Sequence, residues 1–238
     1  MDIKSFGCSF IFGSELSDDG HSNLYTTGSR LTWPALLAKH LGYNYQTYAR
    51  PGSGNLQIME QILNQAVNTE PSLYIIGWTW IDRFDYVSKT ADKWPADNGK
   101  SGSGWGTGWK TIMPADDTSV AKTYYQDLHS EYQDKLNTLI SIRTAIDVLK
   151  SKNLPFIMTY MDELMFNTQW HVSPAVLDLQ NYIRPHMTCF DGQNFLEWGK
   201  KKGYPISTAT HPLEEAHRAA ADYIIKVFDK QSITAQVR

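Results

Sequence analysis

The chain has 238 residues, 42% hydrophobic and 20% charged, with a net charge of −3. That length supports one large domain with a good core or two small ones, and the composition is that of a folded chain. The weak negative charge and the lack of a basic block argue against nucleic acid or a membrane surface as partner. Lys200-Lys201-Lys202 is a short run at a predicted helix end, where cations suit the dipole.

Two cysteines, Cys8 and Cys189, cannot build a disulfide framework, and neither has a Cys or His at zinc spacing, so no metal is expected. No apolar run approaches membrane-spanning length. Met1-Asp2-Ile3-Lys4 leads straight into a predicted strand without a signal peptide, so a cytoplasmic location is the expectation. Eight tryptophans hint at aromatic-lined surfaces.

Ile3 to Gly13 reads as strand, tight turn and helix start, with Cys8-Ser9 in the turn. A serine just past the carboxyl end of a first strand is where an open α/β sheet places reactive groups; turns also favour Ser for backbone hydrogen bonding alone. Glu15 to Ser29 is a polar loop that could wall a cleft. Thr32, Pro34 and Gly42 bound a first clear helix. Asn44 to Ala49 reads as a second strand. Arg50-Pro51-Gly52-Ser53-Gly54-Asn55 is a second turn whose glycines allow close backbone approach. A helix follows from about Leu56 to Val67. Ser72 to Thr79 is a continuous apolar strand of the central parallel kind.

From about 82 to 118 the character changes. Ser101 to Trp109 is Gly-rich with embedded Trp, an insertion too irregular for a core element, and either a lid or binding loop or a surface excursion. Trp94, Trp105 and Trp109 favour a use for it. A long helix is predicted from about Val120 to Ser151, with Tyr124, Leu128, Tyr132, Leu136, Leu139, Ile140, Ile146 and Leu149 as its apolar stripe. Leu154 to Tyr160 is a fourth strand, ending at Met161-Asp162-Glu163. Ser173-Pro174 opens another helix, Met187 to Phe190 is a short fifth strand, Gln193 to Lys202 is helical, and a last helix starts at Pro212.

Strands alternating with helices predict one three-layer α/β/α domain over 1–238, with a mainly parallel, flavodoxin-like five-stranded sheet and the inserted excursion. Ligands in such folds bind at the carboxyl ends of the strands. Three turns converge there: Gly7-Cys8-Ser9, Gly52-Ser53-Gly54-Asn55 and Gly77-Trp78-Thr79. A serine nucleophile needs N–H groups around an oxyanion, which glycine turns supply, and it needs a base. His211 is the candidate: the residue before a proline avoids helical geometry, and Pro212 is preorganised for a helix start. His217, two turns on, cannot share that position.

Gly7-Cys8-Ser9-Phe10 resembles the first block of the SGNH (GDSL-type) hydrolases, Ala49 to Asn55 their second, and His211-Pro212-Leu213-Glu214-Glu215-Ala216-His217 their last. The resemblance covers nearly the whole chain outside the insertion. It implies a nucleophile at Ser9, a general base at His211, and an oxyanion hole from the Ser9 N–H, Gly54 and the third-block residue. That residue is Thr79 where the family has Asn, with Asn55 as a substitute. The family's aspartate three residues before the histidine is Thr208 here. A Ser-His dyad oriented by a backbone carbonyl, support from Asp191 or Asp162, or lost catalysis are the three alternatives. The Cys-Ser-Phe and Trp-Thr-Trp variants also resemble SGNH proteins encoded by tailed bacteriophages, which carries the expectation of a virion-associated protein.

The expectation is therefore a cofactor-free serine esterase that removes a small acyl group, acetyl foremost, from a small-molecule or glycan ester. The Trp-rich insertion favours a carbohydrate over a lipid. The competing expectation is a catalytically weak or inactive SGNH-like glycan-binding or structural protein. A flavodoxin-like nucleotide binder is the poorer third, for want of a phosphate loop after the first strand.

Overall fold

The computed structural model describes residues 1–18, 28–67, 70–88 and 108–227. Its strands are β1 (Asp2–Gly7), β2 (Asn44–Thr47), β3 (Ser72–Trp78), β4 (Phe84–Val87), β5 (Trp109–Ile112) and β6 (Phe156–Tyr160). Its α-helices are α1 (Ser9–Phe12), α2 (Trp33–Leu41), α3 (Asn55–Ala66), α4 (Ser119–Thr123), α5 (Glu131–Ser151), α6 (Pro174–Ile183), α7 (Phe195–Lys202) and α8 (Glu214–Val227). Four strands form a parallel sheet in the order β2-β1-β3-β6.

Alternation along the strands sorts the apolar side chains onto two faces. Ile3, Leu73, Ile75 and Ile157 pack with Ile11, Leu37, Trp198, Ala220 and Ile224, so α1, α2, α7 and α8 cover one face. Phe6, Tyr74, Ile76 and Met158 pack with Ile58, Ile62, Leu139, Ile142, Ile146, Val176 and Ile183, so α3, α5 and α6 cover the other. The expected three layers result, with β1 and β3 buried between them.

The register explains two of the glycines. Gly7 and Gly77 are partners across β1 and β3. A Cβ at Gly7 would lie 2.7 Å from Ile11 Cγ1, and one at Gly77 would lie 2.6 Å from the same atom. The bare pair is a slot into which Ile11 packs. The four-residue helix that begins with Ser9 thereby lies directly against the sheet.

Several predicted elements change shape. The fifth strand of the sheet shrinks to one parallel bridge, Met158 with Met187, and the Thr188 N–H donates to Met158 O at 2.7 Å. Phe190 bridges back to Gln193, which turns the chain away before a ladder can grow. The long helix breaks. Tyr124–Leu128 form a π-turn, His129 is extended, and the Ser130 side chain caps a restarted α5. Buried Asp134 holds the break, accepting from Tyr124 Oη at 3.0 Å and contacting His129 Nε2 at 2.8 Å. Leu128 and Ile140, assigned to the apolar stripe, are exposed. The ends of the predicted insertion are regular: β4 and β5 pair antiparallel. Residues 89–107, with Trp94, Trp105 and most of the Gly-rich run, lie outside the described residues. The last helix starts at Glu214, because Pro212 is spent in a bridge with Ile206 and the Leu213 N–H donates to Pro205 O.

Candidate active site

The turn after β1 delivers Ser9 to the first position of α1, with Cys8 as N-cap and Gly13 closing the helix in the left-handed conformation. The Ser9 N–H is thus one of the amides that a helix start leaves without an intrahelical acceptor. Ser9 is 6% exposed.

His211 arrives from the other end of the chain on a pinched strap, not on a helix. The Ser207 N–H donates to His211 O at 2.9 Å, and the His211 N–H donates to Ser207 Oγ at 3.1 Å. Between them Thr210 has φ 67°, an uncommon conformation for a non-glycine residue. The Pro212–Ile206 bridge continues the strap. The result is that His211 Nε2 lies 2.8 Å from Ser9 Oγ.

The other ring nitrogen meets a residue that sequence reasoning missed. His211 Nδ1 is 2.5 Å from Glu15 Oε2. The Ser207 hydroxyl donates to the same oxygen at 2.6 Å. These hydrogen bonds, Ser207 first and His211 next, hold the Glu15 carboxyl below the usual carboxylate range. An ionised carboxylate only accepts, so the proton sits on Nδ1 and Nε2 is left to accept from the Ser9 hydroxyl. Glu15 itself has φ 66°, and its loop is tied down again where the Ser17 N–H donates to Glu214 Oε1 at 2.7 Å.

The two carboxylates considered for His211 from sequence, and Thr208 at the family's aspartate position, are elsewhere. Asp191 accepts from Trp198 Nε1 at 3.1 Å and pairs with Lys202 at 2.9 Å. Asp162 accepts from the Ile81 and Leu164 amides, each at 2.9 Å. Thr208 is exposed in the turn of the strap. No backbone carbonyl is needed at Nδ1, because Glu15 is there. One signal for Glu15 was present: it is the first carboxylate after Ser9, two residues past the glycine that ends α1. Its partner is 196 residues away.

The expected oxyanion donors fare unevenly. The Gly54 N–H donates to Asp85 Oδ1 at 3.0 Å, so it is committed. Asp85, buried on β4, also accepts from the Gln57 N–H at 2.9 Å and the Thr111 hydroxyl at 2.6 Å. It caps α3 with a carboxylate from the insertion, and its burial pushes its pKa up. Asn55 is committed too. Its Oδ1 accepts from the Thr79 N–H at 2.9 Å, while Nδ2 reaches Thr79 O at 3.2 Å, Trp80 O at 3.3 Å and Thr138 Oγ1 at 3.1 Å. It clamps the second and third turns together and does not face a substrate. Thr79 is fully buried, and its hydroxyl has no hydrogen-bond partner among the described residues. Of the four expected donors, Gly54 and Asn55 are thus committed elsewhere and the Thr79 hydroxyl is sealed from solvent.

Aromatic side chains wall the site. Phe10 meets the His211 ring edge-on at 5.4 Å and Trp80 at 5.4 Å. The Arg83 guanidinium lies 4.9 Å from the Trp80 ring centroid, with Nη1 donating to Ser53 O at 3.1 Å. His217 is engaged elsewhere: its Nδ1 accepts from the Trp33 N–H at 3.1 Å and so caps α2. Among the described residues no group of three or more His, Cys, Asp or Glu is placed to hold a metal.

No protein-family model and no curated protein matches the sequence. Solved structures do. A lipolytic G-D-S-L family protein from Veillonella parvula aligns over 97% of this chain and 99% of its own, with a TM-score of 0.50 at 14% identity. The chain has the SGNH hydrolase fold. A psychrotrophic esterase from Pseudoalteromonas aligns over 97% of both chains with a TM-score of 0.47 at 10% identity. A carbohydrate esterase aligns over 98% of this chain and 69% of its own, with a TM-score of 0.49 at 14% identity. Within the SGNH fold, Ser9 and His211 sit at the carboxyl edge of β1 and beside it, where open α/β sheets bind ligands.

Proposed function

We propose that the protein is a serine esterase that cleaves a small acyl ester, acetyl foremost, carried on a carbohydrate. The observation that supports it is the continuous chain from Ser9 Oγ through His211 Nε2 and Nδ1 to Glu15, at 2.8 and 2.5 Å. In this reading His211 takes the Ser9 proton as Oγ bonds to the ester carbonyl carbon. The tetrahedral oxyanion accepts from the Ser9 N–H. Collapse breaks the ester C–O bond, and His211 returns the proton to the departing alcohol. Water then attacks the acyl-serine with His211 again as base, releasing the acid. Glu15 is the counter-charge to the imidazolium formed in each half. Trp80, half-buried beside Phe10, offers a face for a sugar ring.

The test is labelling by a fluorophosphonate together with hydrolysis of 4-nitrophenyl acetate, each beside Ser9→Ala. Wild type is expected to label and turn over while the variant does neither. Equal behaviour of the two would overturn the reading. A second reading, glycan binding without turnover, draws on one observation: Gly54 and Asn55 are both committed away from the oxyanion position. It predicts no labelling of wild type.

A further inference from the structure

The segment between β6 and α6 is built with more polar structure than a connection needs. Lys135 on α5 is fully buried, and its ammonium donates to Asn167 O at 2.6 Å and Trp170 O at 2.9 Å. Gln180, also buried, donates from Nε2 to Met165 O at 2.8 Å and Asn167 O at 3.1 Å. The Asn167 side chain accepts from the Gln169 and Trp170 amides at 2.8 and 2.9 Å. His171 follows with φ 54°, and its Nε2 lies 2.6 Å from Glu131 Oε2. Burying an ammonium is unfavourable until hydrogen bonds offset it. Left-handed backbone at a non-glycine residue is strained, and such strain gathers at ligand sites.

All of this fixes the backbone of a residue whose side chain contributes nothing to the core. Trp170 is 62% exposed, and its ring makes no aromatic or cation-π contact among the described residues. A rigid, solvent-facing indole is costly to leave wet and well suited to stacking. The residues joined to it along the chain and by hydrogen bonds are polar or aromatic. Gln169 is exposed, the His171–Glu131 pair is half open, and Tyr132, next to Glu131 on α5, donates its hydroxyl to Ser173 Oγ at 2.9 Å. The segment leaves the same carboxyl edge of the sheet as Ser9, from β6, two places from β1 in the strand order. Two strand spacings are about 10 Å.

We propose that Trp170, with Gln169, Tyr132 and the His171–Glu131 pair, is a distal glycan subsite. The indole takes the apolar face of a sugar ring and the polar neighbours take its hydroxyls, in the same chain whose esterified residue is held at Ser9. The proposal rests on the carbohydrate-ester reading above and adds that the substrate is an extended glycan.

The experiment compares wild type, Trp170→Ala and Trp170→Tyr by affinity electrophoresis in gels containing acetylated xylan, acetylated glucomannan or their deacetylated forms. It also takes the ratio of kcat/KM on each acetylated polymer to that on 4-nitrophenyl acetate. Loss of one stacking aromatic predicts an affinity and a ratio about tenfold lower for Trp170→Ala on at least one polymer, largely restored by Trp170→Tyr. Unchanged retardation and ratio on every polymer would overturn the subsite, as would wild type bound by none of them. An equal fall on polymer and 4-nitrophenyl acetate would also overturn it. Fluorophosphonate labelling of Ser9 is read separately. Labelled Ser9 with an indifferent Trp170 removes the subsite and keeps the esterase; Trp170-dependent retardation without labelling does the reverse.

Discussion

Replacing Glu15 by Gln removes a charge from the site and leaves a hydrogen-bond acceptor in nearly the same place. The carboxylate oxygen lies 2.5 Å from His211 Nδ1, so the charge centres of carboxylate and imidazolium are about 4 Å apart. At that separation the attraction is about 1 kcal/mol in water and about 4 kcal/mol at the effective dielectric of a protein surface. Glu15 is 42% exposed and His211 only 16%, so the value falls between these limits, at about 2 kcal/mol. That converts to a fall of about 30-fold in kcat/KM on 4-nitrophenyl acetate. Glu15→Ala should lose more, because the Nδ1 proton and the Ser207 hydroxyl lose their shared acceptor. A second readout separates a catalytic from a structural role: Glu15→Gln should keep the wild-type midpoint in urea while kcat falls. Activity within twofold of wild type would refute the assignment of Glu15.

Three further outcomes follow from the scaffold around the site. His217 is buried and neutral, its pKa pushed down to about 3 by desolvation. The unfolded chain takes up that proton below about 6.5 and the folded chain does not, so this contribution is complete above 6.5 and lost as pH falls; from pH 7 to 5 it removes about 2 kcal/mol. Urea titrations at the two pH values should show that loss, and His217→Asn, which keeps an acceptor for the Trp33 amide, should flatten it. Gly77→Ala places a Cβ 2.6 Å from Ile11 Cγ1 and should cost about 1–3 kcal/mol in thermal unfolding, with slower fluorophosphonate labelling as α1 is pushed off the sheet. Asn55→Ala strands the buried Thr79 amide and Thr138 hydroxyl and should cost about 2–3 kcal/mol; a variant as stable as wild type would show that Asn55 does not clamp the two turns.

Much was legible in the sequence because it is local. Short strand-like runs, continuously apolar in β3 and alternating in β2, separated by helical patterns, specify β1, β2, β3 and β6 and the helices between them, and the turn after the first of them puts Ser9 at the carboxyl edge of the sheet. Pro212 marked His211 as held in a set conformation, although the device is a bridge with Ile206 and not a helix start. The polar break at His129–Ser130 was hidden because the apolar spacing runs on through it, while the buried Asp134 that stabilises the break has no periodic signature.

What only the tertiary structure decided is who partners whom. Composition and spacing say nothing about contacts between residues 196 positions apart, so the carboxylate behind His211 could be Glu15 while the position three residues before it holds Thr208. The same holds for Asp85. A buried carboxylate from the insertion takes the Gly54 amide, because a helix start attracts the nearest anion whatever its place in the chain. Local chemistry determined the turns, the serine and the histidine. Long-range packing, which alone sets distances across the sheet edge, determined which carboxylate meets His211, which of the expected donors are committed elsewhere, and the outward placement of Trp170.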